Sequence, residues 1–376
     1  MKTQRTKLAF TLTAATLAAC GGGGGTTSTT TGLILPVAVG FSATCANGST
    51  QSSTVSTADA QSKCPATSGP SASPGVAIVT SVPASTYSAG SEELAAFNLL
   101  NSERAACGFG LLAQNPKLDQ AAQAHANWLL INNYGGHIEA ATVPMGFTGV
   151  APWDRAAAAG YAWASIGETL VTSNTPSIAG FGTSATRSLL SAPYHLFGQM
   201  AGNLDVGMAV RSITQVTPLV ANGATQRVAI NDFGVPSTGG DFQVPAANAV
   251  LTYPCQGTTG VNYRVTGESP NPVPGRDLAA SPLGGPVLVM VKRGQALSVT
   301  SASMTNLATG LPVVLRAPLT AANDPNHELA ATDTYLALVI PDVPLVPSTA
   351  YQVNLAGTNN GTVFSRTFTF TTGTGG

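Results

Sequence analysis

The hydrophobic positions in the middle of the chain recur with the spacing of an α-helix. In residues 115–136, Leu118, Ala122, His125 and Leu129 follow one another at intervals of four, three and four residues, which places them on one helical face. An asparagine and a proline open this segment, as is typical of a helix N-terminus, and two glycines close it. The pattern therefore predicts one long amphipathic helix.

The segments around this helix carry weaker patterns, some of which predict helices and others strands. A serine followed by two glutamates predicts a helix start near residue 91, and alternating apolar and polar residues predict strands. The predicted helices cover residues 91–108, 154–161 and a poorer, proline-interrupted segment at 177–195. A turn and a strand are predicted in 163–173, and further strands at 204–210 and 226–234. Helices mixed with antiparallel strands in this way predict an α+β fold.

The pattern changes near residue 252. After segments rich in glycine and proline, helical spacing is absent, and short alternating strands follow one another between turn residues. This pattern predicts an all-β sandwich of the immunoglobulin-like (Ig-like) kind. We therefore expect an α+β domain over residues 89–256, and a linker with the Ig-like sandwich over residues 257–376.

The N-terminus has the pattern of an export signal. Three basic residues precede an apolar run that ends in Leu-Ala-Ala-Cys and is too short to span a bilayer. Because this resembles a bacterial lipobox, we expect residues 1–19 to be removed and Cys20 to carry a lipid anchor in the membrane; ordinary cleavage beside an incidental Cys20 is the alternative. A flexible Gly/Ser/Thr-rich linker then covers residues 20–88. The glycine after Cys20 favours, by resemblance to lipoprotein sorting, the outer membrane or an extracellular location.

Four cysteines remain besides Cys20, and an oxidising exported compartment allows them three pairings. We prefer the set in which Cys45–Cys64 closes a local loop and Cys107–Cys255 ties the first helix to the end of the α+β domain. A metal site is the weaker alternative, because no Cys-x-x-Cys spacing occurs.

Composition narrows the classes of function. Charged residues make up only 9% of the 376 residues and the net charge is −1, so nothing indicates the clustered lysines and arginines that bind nucleic acid. The chain contains neither His-Glu-x-x-His nor Gly-x-Ser-x-Gly, and no glycine-rich loop has the context of a phosphate site. The sequence therefore gives no motif of a common hydrolase or nucleotide-binding protein.

Several ionisable side chains have simple structural explanations. His125 lies on the apolar face of the long helix, so we expect a hydrogen-bonded core histidine. We expect Glu139 to be a solvent-exposed loop acid and His327 to be a surface turn residue. Ser191 and His195 are one helical turn apart but lack a third orienting group, so they do not make a persuasive catalytic dyad. No catalytic residue is assigned.

Six motifs follow one another in an order that resembles the CAP superfamily, which groups cysteine-rich secretory proteins, antigen-5 allergens and pathogenesis-related proteins. In chain order they are LLNSERAACGFGLLAQNPKLDQAAQAHANWL, GGHIEA, RAAAAGY with IGETL, LLSAPYHLFG, LDVGMAV and INDFG. They cover most of residues 91–235. The resemblance implies that residues 89–256 form the α-β-α sandwich of a CAP (SCP-like) domain, here in a bacterial lipoprotein.

The resemblance also implies a site. His137, Glu168 and His195 would converge in the central cavity, which can hold a divalent metal such as zinc, because imidazole nitrogens and a carboxylate suit that ion. The sequence departs from the family at Thr169 and Leu196, where asparagine and arginine are usual, and the second glutamate of animal members has no evident counterpart on the helix before His195. The three side chains can instead fasten long loops to the sheet by hydrogen bonds.

Three functions are compatible with these features. The resemblance favours a non-enzymatic surface module that binds a lipid-like or sterol-like small molecule, or a partner protein, in a His/Glu-lined cavity. The alternative is a metal-assisted hydrolase or protease, with His137 and His195 on the metal and Glu168 as base; no separate general base and no activated nucleophile are evident. The third is a purely structural role, in adhesion or as a spacer.

Overall fold

The computed structural model describes residues 33–34, 38–44, 50–53, 63, 75–216 and 225–375. Residues 1–19, Cys20, Cys45 and Cys64 lie outside the described residues, so the signal peptide, the lipid anchor and the Cys45–Cys64 bond stay predictions. Within the described ranges, no helix combines the length and the apolar character that a membrane crossing needs.

The described chain contains helices in its first part and strands throughout. The helices are α1 (Glu92–Ala106), α2 (Pro116–Asn132), α3 (Pro152–Ala158), α4 (Phe181–Leu189) and α5 (Pro193–Met200). In chain order the strands are β1 (Leu33–Ile34), β2 (Ala38–Thr44), β3 (Thr50–Ser53), β4 (Val76–Ala77), β5 (Ala113–Gln114), β6 (Trp163–Ser173), β7 (Asp205–Ser212), β8 (Arg227–Pro236), β9 (Gln243–Val244), β10 (Leu251–Tyr253), β11 (Val287–Met290), β12 (Leu297–Asn306), β13 (Leu336–Val339), β14 (Ala350–Asn359) and β15 (Thr362–Thr371). This mixture agrees with the predicted α+β class.

Local capping signals set the ends of the first two helices. The Ser91 side chain accepts a hydrogen bond from the Leu94 amide, and Asn115 precedes a proline at the first position of α2. The prediction that two glycines end α2 is wrong, because the helix ends at Asn132 and Asn133 adopts a left-handed conformation with φ of 52°. Asparagine tolerates that conformation and caps a helix much as glycine does.

The central sheet has seven strands in the described part of the chain, with β3, β2, β6, β8, β7 and β5 side by side and β1 also paired with β6. The β6–β8 pairing is antiparallel and places Glu168 directly opposite Asp232. On the other edge of β6, Ala38 of β2 lies opposite Glu168. Residues from the segment predicted as a linker therefore extend the sheet beside the candidate site.

Helices cover both faces of this sheet. Leu170, Ala209 and Ile230 pack in one buried cluster with α2, whereas Val171 and Val210 pack in another with α4. Neighbouring residues on one strand belong to different clusters because successive side chains point to opposite faces. The helical segment predicted at 177–195 is two helices, since a proline begins α5.

The C-terminal part forms two further antiparallel sheets, β10-β11-β13 and β12-β14-β15. One buried apolar cluster runs from α1 through both of these sheets. A disulfide joins Cys107 to Cys255, as preferred from the sequence. Strand β10 lies within the predicted α+β domain yet pairs with β11. The division of the chain after residue 256 stays a prediction, and the packing is continuous across it.

Candidate functional site

The candidate site is centred on Glu168, a fully buried residue of β6. Its Oε1 accepts a hydrogen bond of 2.7 Å from Nδ1 of His137. Its Oε2 accepts one of 2.7 Å from Nη2 of Arg155. Two of the three side chains named by the resemblance, His137 and Glu168, are therefore in direct contact.

Arg155 connects the carboxylate to the loop between α2 and α3. Its Nη1 also donates to the carbonyl oxygen of His137 at 3.1 Å, and the side chain is fully buried. Sequence reasoning did not assign Arg155 to the site, although it begins the RAAAAGY motif. A buried arginine needs an anionic partner, and Glu168 provides it.

A second histidine–carboxylate pair lies beside the first. Nδ1 of His125 is 3.1 Å from Oε1 of Glu139, and Nε2 of His125 is 3.0 Å from the carbonyl oxygen of Gly136. The expectation that His125 is a hydrogen-bonded core histidine is confirmed. The expectation that Glu139 is solvent-exposed is wrong: it is 0% exposed, and its Oε2 accepts a hydrogen bond of 2.8 Å from the Thr148 amide. The loop folds back over its own glutamate, which local sequence does not reveal.

The protonation states follow from burial and neighbouring charge. Burial raises the pKa of Glu168, but Arg155, His125 and His137 outweigh it and hold that pKa below its usual value. Burial lowers the pKa of His137 to about 4, and the hydrogen bond that His137 donates to Glu168 opposes this shift. At neutral pH, Glu168 is charged and His137 is neutral. Since Nδ1 of His137 donates to the carboxylate, Nε2 is left as an acceptor.

Asp232 completes the charge arrangement. It is fully buried and faces Glu168 across the β6–β8 pair. Burial, followed by the charge of Glu168, raises its pKa well above the usual value, because two carboxylates this close do not both ionise in a buried site. No described group donates a hydrogen bond to either oxygen of Asp232. Burial and the charge of Glu168 therefore favour the protonated form of Asp232.

His195 has a different partner from the one expected. Nδ1 of His195 is 2.9 Å from Oε1 of Glu268, and the same oxygen accepts a hydrogen bond from the Tyr194 amide at 3.2 Å. Glu268 lies 73 residues further along the chain, in a segment that the sequence indicated to be a linker. His195 is still close enough for its charge to lower the pKa of His137. The structure therefore places His195 near the pair but bonds it to a glutamate that sequence reasoning missed.

The residues fit the expected metal only in part. Nε2 of His137 and Nε2 of His195 are buried, and neither has a hydrogen-bond partner among the described residues. Their Nδ1 atoms are oriented by carboxylates, as in many metal-binding histidines. However, Glu168 is fully engaged by His137 and Arg155. Across the described ranges, no three His, Cys, Asp or Glu side chains are arranged to hold one ion, whereas zinc sites use three or four protein ligands. A divalent metal stays a prediction of the resemblance, and we derive no step through it.

A separate cavity of about 620 Å³ lies between the α+β part and the C-terminal sheets. Its wall is mostly apolar, and none of His137, Glu168 and His195 lines it. His327, expected to be a surface turn residue, is exposed and also lies at this cavity. Its aromatic and charged lining side chains include Trp153, Phe197, Phe233, Phe242, Arg293, Glu328, Asp333 and Tyr335. Space for a ligand therefore lies outside the histidine cluster.

Comparison with known proteins adds no family assignment. No protein-family model matches the chain, and no curated protein is significantly similar to it. The likeness to the CAP superfamily rests on the order of the six motifs.

Proposed function

We propose that this chain is an exported, non-enzymatic CAP-like binding protein that holds an apolar small molecule in the cavity between its α+β part and its C-terminal sheets. The observation that carries the proposal is the largely apolar cavity of about 620 Å³. Ligand pockets usually have volumes of roughly 300–1,000 Å³, have apolar walls and occur preferentially between domains. The proposed ligand site thus differs from the His/Glu-lined cavity that the resemblance implied.

Two features support the finer assignment of the fold. Helices on both faces of the central sheet, together with the motif order, favour an α-β-α sandwich of the CAP type. Two three-stranded antiparallel sheets that share one core favour an Ig-like sandwich behind it. The N-terminal pattern favours attachment through Cys20 to the outer membrane, so Cys20→Ser should release the protein from membranes; a variant that stays membrane-bound would contradict the lipid anchor.

The geometry gives less support to the hydrolase alternative. A general base needs a free lone pair directed at the reacting proton and a pKa near the working pH. Both oxygens of Glu168 are engaged by His137 and Arg155, and its pKa is held low. Ser191 donates its hydroxyl to the carbonyl oxygen of Arg187 at 2.8 Å, which is not the bond of an activated nucleophile. We assign the network a positioning role, in which it fastens the loop between α2 and α3 to the sheet.

A fluorescence titration tests the proposal directly. The delipidated protein is titrated with N-phenyl-1-naphthylamine, a neutral dye that fluoresces in apolar surroundings. Ala331→Trp adds a large side chain at the exposed rim of the cavity and should abolish the signal. Ala280→Trp, at an exposed position that does not line the cavity, is the matched control and should leave the signal unchanged.

Two results would contradict the proposed site. An absence of saturable dye binding to the unaltered protein would remove the observation on which the binding function depends. Binding that survives Ala331→Trp but is lost in His137→Ala would move the ligand to the histidine cluster. Mass spectrometry of small molecules that co-purify with the protein then identifies the natural ligand.

A further inference from the structure

The cavity wall carries more acidic side chains than side chains of lysine or arginine. The Arg293 guanidinium lies over the ring of Phe242, 4.0 Å from its centroid. Arg293 also acts on the buried Asp333. Burial raises the pKa of Asp333 to about 6, whereas the hydrogen bond donated by the Ala330 amide and the charge of Arg293 oppose the rise. These two opposite charges largely offset each other. The remaining ionisable acid of the wall is Glu328.

The charges that shift the pKa of Glu328 are both acidic. Glu328 is half-buried at the cavity wall, and the charges that act on it come from Asp324 and Glu268. No lysine or arginine of the described ranges pairs with its carboxyl group. Burial, followed by these two carboxyl groups, raises the pKa of Glu328 to about 7. The potential at this end of the cavity therefore favours a positive charge.

The rest of the wall suits the same kind of ligand. Trp153, Phe197, Phe233 and Tyr335 contribute aromatic rings to the lining. The face of an aromatic ring attracts a cation, and recognition of quaternary ammonium groups relies on this attraction. Aromatic side chains also provide the apolar area that an alkyl chain or ring system needs.

We propose that the cavity selects an apolar cation: an alkyl or ring body that carries a protonated amine or a quaternary ammonium group. The apolar body packs against the aromatic wall, and the cationic group faces the Glu328 carboxyl group. This inference rests on the proposed binding function and adds the chemical class of the ligand.

Three ligands with the same chain length separate charge from apolar character. Octyltrimethylammonium, 1-octanol and octanoate each compete with N-phenyl-1-naphthylamine for the delipidated full-length protein. We expect the ammonium compound to displace the dye at a concentration about tenfold lower than octanol, the size of one desolvated cation contact. Octanoate should be the weakest competitor.

Glu328→Gln isolates the proposed contact. It should remove the roughly tenfold advantage of the ammonium compound and leave competition by octanol unchanged, which also shows that the cavity is intact. Asp277→Asn removes one negative charge from an exposed residue outside the cavity wall, and this control should change neither ligand.

The outcomes distinguish this inference from the proposed function. If octanol competes as well as the ammonium compound, or if Glu328→Gln does not alter the ratio, the inference is wrong while apolar binding stands. If octanoate competes best, Arg293 governs selectivity and the inference is also overturned. If neither the dye nor any of the three ligands binds, both proposals fail.

Discussion

The protein should lose stability between pH 6.5 and pH 4 because His137 stays neutral in the folded state. In the unfolded chain this imidazole has an ordinary pKa of 6.5, whereas burial lowers the folded pKa to about 4. Between these values the unfolded state binds one more proton than the folded state, so protons favour unfolding. The contribution of the neutral His137 imidazole to the unfolding free energy is fully present above pH 6.5 and is lost as the pH falls towards 4. At about 1.36 kcal/mol per pKa unit, the loss due to His137 is about 3 kcal/mol.

Urea unfolding at a series of pH values measures this loss. Other groups titrate in the same range, so the informative quantity is the difference in unfolding free energy between the unaltered protein and His137→Gln. That difference should change by about 3 kcal/mol between pH 7.5 and pH 4, with the unaltered protein losing more. His327→Gln, at an exposed histidine, is the control and should show a constant difference. A constant difference for His137→Gln as well would refute the assignment of a buried, neutral imidazole.

Three further changes test the network and the disulfide. Arg155→Met leaves the Glu168 charge buried without its cationic partner, so the unfolding free energy should fall by about 3–5 kcal/mol in urea titrations; a loss below 1 kcal/mol would mean that Glu168 is not charged. The raised pKa of Asp232 stabilises the unaltered protein at low pH, and this stability is lost as the pH rises above 3.8 and the carboxyl group ionises. The unfolding free energy of Asp232→Asn should therefore increase relative to that of the unaltered protein as the pH rises; a difference in unfolding free energy that is independent of pH would contradict a protonated Asp232. Replacing Cys107 and Cys255 by serine opens a loop of 148 residues and should lower the unfolding free energy by up to about 5 kcal/mol; equal denaturation midpoints would show that the bond is absent in solution.

Local signals allowed much of the α+β part to be predicted. The serine cap of α1 and the asparagine–proline start of α2 act within one helical turn, so neighbouring residues are sufficient to find them. The alternating strands β7 and β8 were found for the same reason, since their periodicity is visible in a short window. The burial of Glu139 was not predictable in this way, because it depends on a loop that returns to bond the acid through the Thr148 amide.

The partners in the candidate site are separated along the chain. Glu168 and His137 were paired through the resemblance, but Arg155 was missed because its role appears only when α3 lies beside β6. Glu268 was missed because it lies in a glycine- and proline-rich segment, and composition says nothing about which buried group such a segment reaches. The 620 Å³ cavity was missed for a related reason: its wall combines residues from both halves of the chain.

The same long-range contacts predict that the α+β part does not fold stably when the chain ends at residue 256. Such a fragment loses the pairing of β10 with β11, and His195 and the Tyr194 amide both lose Glu268. Each buried polar group left without its partner costs about 1–3 kcal/mol, in addition to the lost apolar contacts. Residues 89–256 should therefore show a broad, low-temperature unfolding transition by circular dichroism, whereas residues 89–376 should unfold cooperatively.

Two variants of the longer chain separate the Glu268 contact from the rest of the packing. Glu268→Gln keeps an oxygen that accepts from His195 and should be mild, whereas Glu268→Leu removes the acceptor and should destabilise the protein by at least 1 kcal/mol more. If residues 89–256 instead unfold with the same midpoint as residues 89–376, the two parts are independent folding units. Glu268 would then be a contact that the α+β part does not need, and the boundary after residue 256 would be a true domain boundary.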